Sequence, residues 1–130
     1  MTPIKLPRTD FTPGIEFSPA DQRLSIEGEC HPENPNTFFG PILQLIGQYL
    51  QTAEPRHFVL RVRLTYINSA STKAMRQLFM VLSDASKRGC NVDIDWEFDP
   101  DDDAIQELGQ DLLYGIGATH VVFNEVLIET

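Results

Sequence analysis

Three small hydroxyl residues, Ser69, Ser71 and Thr72, stand between an apolar, β-branched run that ends near Ile67 and a helical pattern that follows. The cluster contains no glycine or proline. A helix N-terminus exposes unpaired backbone N–H groups and partial positive charge. Because Ser and Thr side chains cap such donors, the cluster predicts the start of a helix.

Two interpretations of these hydroxyls fit the local sequence. In the first they only cap the helix. In the second they include a phosphorylation site, since a phosphate is stabilised most where free N–H groups already point at it. The local sequence leaves both open.

Many carboxylate residues lie between residues 93 and 103, and they suggest a divalent-cation site as an alternative. The spacing lacks the glycine and terminal glutamate of an EF-hand loop. Alternation of Asp93, Asp95, Glu97 and Asp99 with apolar residues favours a solvated strand face, and Asp101–Asp103 favour an acidic helix start. We therefore expect no metal site.

The remaining candidates for chemistry show no catalytic pattern. Cys30, His31 and Cys90 lack metal-ligand spacing. His57 and His120 are single histidines at predicted strand starts, where surface or structural roles are commoner. Neither a phosphate-binding glycine loop nor a nucleophile elbow is present, so the residues predict neither an enzyme nor a cofactor.

The chain has 130 residues and a formal net charge of −9, which fits one acidic domain. That charge argues against nucleic acid or an anionic membrane as the main partner. No apolar run approaches a membrane span, and no signal-peptide core opens the chain. We expect a cytoplasmic protein with free thiols.

Hydrophobic periodicity predicts alternating strands and helices after a flexible leader over residues 1–11. After this leader, residues 12–130 are predicted to form a single domain. Its helix over 38–50 would be capped by Asn36 or Thr37, with Pro41 in the first turn. The other predicted elements are a hairpin of strands at 14–18 and 23–29, strands over 57–67, 91–99 and 120–128, and helices over 70–88 and from the 101–103 aspartates to Leu113.

The order β-β-α-β-α-β-α-β predicts an α/β fold with a mixed sheet and right-handed crossovers. Strands 57–67 and 91–99 each keep one polar face, so the helices should cover mainly the other face. On the open face we expect Arg61 and Arg63 to lie beside Asp93 and Asp95. The covered face should carry Phe58, Leu60, Val62, Leu64 and Tyr66, packed against Met75, Leu78, Phe79, Leu82 and Ala85 of the helix.

The sequence resembles the SiaC family of bacterial regulatory phosphoproteins along roughly residues 12–98. The matching motifs are Thr12-Pro13 with Ile15 and Phe17, Leu24-Ser25-Ile26-Glu27-Gly28, Pro32-Glu33-Asn34 with Phe38-Phe39-Gly40-Pro41, and Tyr66-Ile67-Asn68-Ser69-Ala70-Ser71 with Lys73-Ala74. The resemblance implies a STAS-like fold, similar to anti-sigma-factor antagonists.

The resemblance further implies a non-enzymatic switch in a partner-switching pathway. Its unphosphorylated form would bind and stimulate a diguanylate cyclase, and so govern cyclic-di-GMP and biofilm formation. A cognate Ser/Thr protein kinase would phosphorylate it, and a PP2C-type phosphatase would reverse the reaction. An anti-sigma-factor antagonist that binds an anti-sigma kinase is the alternative, because fold does not decide function.

Carried onto this chain, the family's Asn-Thr-Ser-Ser pattern makes Ser69 the phosphoacceptor, with a serine in place of a threonine. Ala70 departs from the pattern, and Ser71 and Thr72 remain alternatives. The partner-binding surface would comprise Asn68, Ser69, Ser71, Lys73, Arg76, Gln77 and Met80.

Overall fold

The computed structural model describes residues 2–117 and 119–128. In these residues one six-stranded sheet is combined with three helices. The elements are β1 (Ile4–Leu6), β2 (Gly14–Ser18), β3 (Arg23–Cys30), α1 (Pro35–Thr52), β4 (His57–Ile67), α2 (Ser69–Lys87), β5 (Asn91–Phe98), α3 (Asp103–Leu113) and β6 (His120–Glu125).

The strands lie in chain order across the sheet. β1, β2 and β3 pair antiparallel, and β3 to β6 pair parallel through the three helical crossovers. Right-handed crossovers that always step in the same direction place their helices on the same face. The predicted α/β class, mixed sheet and one-sided helix layer are confirmed.

The first strand corrects the prediction of a flexible leader over residues 1–11. Residues 4–6 pair with β2, with Ile4 opposite Phe17, and Ile4 packs against the core. Pro3 and Pro7 flank this strand, as suits a short edge strand that needs few backbone donors. The order is therefore β-β-β-α-β-α-β-α-β.

The first helix begins earlier than predicted. The Asn34 side chain, not Asn36 or Thr37, accepts the backbone N–H of Thr37 at 3.2 Å, and Pro35 occupies the first turn. Pro41 consequently lies inside the helix rather than in its first turn.

The core forms between the sheet and the helices, and the predicted α2 stripe from Met75 to Ala85 is buried in it. Trp96 at its centre donates its indole N–H to the Ile105 carbonyl at 3.1 Å. Its ring fits only because α3 carries Gly109, where an added Cβ would lie 2.4 Å from the indole.

The opposite face of the sheet carries the polar side chains, as the alternation predicted, but the ion pairs differ. Glu97, only 8% exposed, accepts Nε–H groups from Arg61 at 2.9 Å and from Arg63 at 2.7 Å. Asp93 instead contacts His57 at 2.6 Å and His120 at 3.2 Å. The strand register places Arg61 opposite Asp95, as predicted, whereas it places Arg63 opposite Glu97 and Asp93 opposite Val59, so the prediction is right for the first pair and wrong for the second.

Candidate functional site

The junction between β4 and α2 is held by Asn68. Its backbone N–H donates to the Cys30 carbonyl at 2.9 Å, which ties the junction to the end of β3. Its side-chain oxygen accepts the backbone N–H of Ser71 at 3.0 Å. Asn68 is thus the N-cap of α2, a role for which Asn is among the preferred residues.

Ser69 is the first residue of α2, and its side chain is exposed. Among the described residues, no hydrogen bond holds its hydroxyl. Its carbonyl accepts the Thr72 hydroxyl at 2.6 Å, so the Thr72 hydroxyl is already hydrogen-bonded, and the Thr72 side chain is half-buried. The structure therefore leaves Ser69 as the free hydroxyl of the cluster.

Ser71 lies inside the protein, with no exposed surface. Its hydroxyl has no oxygen or nitrogen partner in the described part of the chain and lies beside the Cys30 thiol. Burial raises the pKa of that thiol to about 11, and the neighbouring Ser71 hydroxyl opposes the rise. The first turn of α2 directs Ser71 into the core, so Ser71 does not share the exposed surface of the other predicted partner-binding residues.

The outward face of α2 carries the other predicted contacts. Lys73, Arg76 and Gln77 are exposed, and Met80 is 52% exposed. Spacings of three and four residues place Ser69, Lys73, Arg76 and Met80 along one stripe of the helix. The structure thus brings Ser69 and four of the predicted partner-binding residues onto one surface.

A groove between α2 and α3 continues this surface. It has a volume of about 320 Å³, and its lining joins Arg76 and Met80 to Asp111, Tyr114 and Ile116 of the α3 end. Tyr114 is 89% exposed. These α3 residues were not predicted from the sequence, because the packing of two helices cannot be obtained from their separate periodicities.

A second exposed cluster adjoins the junction on its other side. The His31 ring meets Phe11 at 5.4 Å and Tyr66 at 5.3 Å, both edge to face. Tyr66 was predicted to be buried, but it is 51% exposed. The register of β3 against β4 shifts between Gly28, opposite Leu64, and Glu29, opposite Tyr66. Thr65 is therefore an extra residue in β4, and the alternation of faces is broken before Tyr66.

The carboxylates on the open face of the sheet are engaged within the protein. Hydrogen bonds from His57, and secondarily from His120, lower the pKa of Asp93, although partial burial opposes the shift. In the described ranges, no group of three His, Cys, Asp or Glu side chains is arranged to hold a metal ion. Over the same ranges, none of the helices is long and apolar enough to span a membrane.

The domain thus combines a one-sided α/β fold with an exposed serine at the start of α2. Residues 6–125 match the family described as SiaC family regulatory phosphoprotein. The chain belongs to this family.

Its relatives agree with that assignment. An uncharacterized protein of Pseudomonas aeruginosa is 31% identical over 111 residues, which cover 85% of this chain and 87% of that protein. The crystal structure of apo-SiaC from Pseudomonas aeruginosa is 28% identical, with a TM-score of 0.88 over 95% of this chain and 99% of SiaC. SiaC in its complex with the diguanylate cyclase SiaD, where it is described as the activator, is 27% identical, with the same TM-score and coverage.

Proposed function

We propose that the protein is a non-enzymatic, phosphorylation-controlled switch of the cytoplasm. Its unphosphorylated form binds and activates a diguanylate cyclase. A cognate Ser/Thr protein kinase phosphorylates Ser69 and so releases the cyclase, and a PP2C-type phosphatase restores binding.

The observation that supports this proposal best is the exposure of Ser69 at the first position of α2. A kinase needs an accessible hydroxyl, and a phosphate is stabilised by the N–H groups and partial positive charge of a helix start. Of the two alternatives, Ser71 is buried and Thr72 is hydrogen-bonded to the backbone.

Release of the partner requires only a local change in charge. Phosphorylation adds about −1.5 to −2 charge at neutral pH. Lys73 lies one helical turn beyond Ser69, so the phosphate would neutralise a cation of the docking surface and repel carboxylates of a partner. A tenfold loss of affinity needs only about 1.4 kcal/mol, so the domain need not refold.

The choice of a cyclase over an anti-sigma kinase rests on the solved complex of a relative. SiaC of Pseudomonas aeruginosa has the same fold over nearly its whole length, and that protein has been solved bound to SiaD. No comparable observation favours the anti-sigma-factor antagonist, which shares the fold and the phosphorylation logic.

The test has two parts. First, incubation with the cognate kinase, followed by mass spectrometry, should give one phosphate on Ser69. Ser69→Ala should abolish it and Thr72→Ala should leave it unchanged; modification of Thr72 in the wild type would refute the assignment.

Second, Ser69→Ala and Ser69→Asp proteins are used to capture partners from the native cytoplasm, and the eluates are assayed for cyclic-di-GMP synthesis. We expect Ser69→Ala to retain a diguanylate cyclase and raise its activity, and Ser69→Asp to retain little. Capture of an anti-sigma kinase in place of a cyclase would instead establish the alternative.

A further inference from the structure

The two edges of the sheet differ in how they are protected against pairing with a further strand. β1 forms one edge, and it has only three residues, carries Lys5 and is flanked by Pro3 and Pro7. Short length, lysine and proline are the features by which natural sheets keep an edge from pairing with another chain. The β1 edge is therefore protected.

β6 forms the other edge and has none of these features. It has six residues without lysine, arginine or proline, and its register against β5 shows no bulge. Its four central residues, 121–124, are uncharged. Val122 is 37% exposed, and Leu127, just beyond the strand, is 85% exposed. In the described part of the chain β6 pairs with β5 alone, so its outer side is open.

The backbone of β6 offers hydrogen-bonding groups on this open side. The N–H of Val126 donates to the Phe98 carbonyl at 2.9 Å, so it points toward β5. The trans peptide plane then directs the Glu125 carbonyl away from β5. Because successive residues of a strand direct their backbone groups to alternate sides, those of Val121 and Phe123 also point outward. Buried backbone groups of this kind need partners, and a further strand would supply them.

We propose that the β6 edge pairs antiparallel with the β6 edge of a second copy of this chain, around a two-fold axis at Val122. The two sheets then form one continuous sheet across the dimer. The occupant is a second copy because the edge is complementary to itself in this register.

The register follows from the alternation of faces. A two-fold axis perpendicular to the sheet keeps every side chain on its own face, so it must pass through a residue position. With the axis at Val122, Val121 lies opposite Phe123 of the second copy, and each such pair exchanges both backbone hydrogen bonds. Val121 and Phe123 pack against the core but are only partly buried in the single chain, and this pairing completes their burial.

The polar residues of β6 also fit this register. On the open face of the sheet, Val122 meets Val122 of the second copy, and His120 lies opposite Asn124. Glu125 falls outside the paired segment, so the two carboxylates do not oppose each other. The pairing therefore brings no like charges together.

The unequal edges limit the assembly to two chains. Pairing of identical edges around a two-fold axis is closed, and it uses the unprotected edge of each described sheet while the β1 edges stay protected. An edge contact is smaller than the roughly 1,200 Å² of a stable complex, so we expect a reversible dimer that depends on chain concentration. β4 lies two strands away from β6, so Ser69 stays exposed and this inference is independent of the proposed function.

The test is sedimentation equilibrium of the full chain from about 10 µM to about 1 mM. We expect the mean mass to rise from that of one chain toward that of two. Val122→Lys sets two like charges opposite each other and should raise the dimer dissociation constant at least about tenfold. Val122→Thr, which keeps a β-branched uncharged side chain, should dimerise as the unmodified chain does.

Two further measurements fix the location and the register. Leu6→Lys changes an exposed apolar residue of the β1 edge, 41% exposed against 37% for Val122, and should leave the dimer unchanged. Val122→Glu should also dimerise weakly alone, but an equimolar mixture with Val122→Lys should restore dimers, because opposite charges then face each other. Circular dichroism and thermal melting check that every variant folds.

The outcomes decide each part of the inference. The mass of one chain over the whole concentration range would overturn it, and so would a dimer that Val122→Lys leaves intact. No recovery in the mixture of Val122→Lys and Val122→Glu would contradict the register centred on Val122. Species larger than dimers would contradict closure. Loss of cyclase capture by Val122→Lys in a chain that is always monomeric would assign the edge to the cyclase instead.

Discussion

The side-chain oxygen of Asn68 accepts the backbone N–H of Ser71 at 3.0 Å, and this contact decides which hydroxyl of the cluster faces solvent. With Asn68 as the cap, Ser69 becomes the first helical residue and is exposed, whereas Ser71 turns inward and is buried. If the cap lay one residue later, the side chains of Ser69 and Ser71 would point in directions about 100° away around the helix axis.

Replacing Asn68 should test this relationship. Asn68→Ala removes the acceptor and leaves the Ser71 N–H without its side-chain partner. We expect the free energy of unfolding to fall by about 0.5–2 kcal/mol in urea titrations. Asn68→Asp keeps a capping oxygen and should remain near wild type; equal losses in both variants would show that the cap does not stabilise the junction.

The fit of Trp96 against α3 gives a second prediction. Gly109→Ala places a methyl group 2.4 Å from the indole, so the ring or the helix must shift. We expect a loss of about 1–3 kcal/mol in the free energy of unfolding, with a changed tryptophan emission spectrum.

Gly40 offers the matched control, since it lies in α1 with no atom within 4 Å of an added Cβ. Gly40→Ala should raise stability by up to about 1 kcal/mol, because alanine favours the helix more than glycine does. A neutral effect of Gly109→Ala would contradict the close packing of Trp96.

The contacts of Asp93 predict a pH dependence. Hydrogen bonds from His57 and His120 lower the pKa of Asp93 in the folded protein below its ordinary value of 3.8. The unfolded chain therefore binds the proton more readily, and the stabilisation is complete above pH 3.8 and is lost as the pH falls through the folded pKa.

The measurement for Asp93 compares thermal unfolding of wild type and Asp93→Asn. Since the Asp93 side chain is 44% exposed, solvent screens the pair and the difference at neutral pH should be below about 1 kcal/mol. The difference should shrink below pH 3.8. A difference that grew in acid would mean that Asp93 is destabilised, not stabilised, by its neighbours.

The sequence predicted the elements whose periodicity is strong. The α2 stripe and the alternation of Val92, Ile94, Trp96 and Phe98 lie in the core as expected, because each pattern matches the geometry of its own element. The short β1 was missed, since three residues between prolines give too little periodicity to distinguish a strand from a loop.

Features that depend on contacts between elements were not predictable from sequence. The pairing of Arg63 with Glu97 depends on the register of β4 against β5, and a shift of two residues preserves the same alternation of faces. The burial of Ser71 depends on the residue at which α2 begins. The position of Tyr114 in the groove depends on how α2 and α3 pack together.

The central claim is that phosphate on Ser69 lowers affinity for the cyclase while the domain keeps its fold. The most direct measurement is calorimetry of the purified cyclase against the unphosphorylated protein and against protein phosphorylated by its kinase, with circular dichroism of both forms. We expect at least a tenfold weaker affinity for the phosphorylated form, unchanged circular dichroism, and an affinity of Ser69→Ala that does not respond to the kinase. Equal affinities, or a loss that accompanies unfolding of the domain, would contradict the claim.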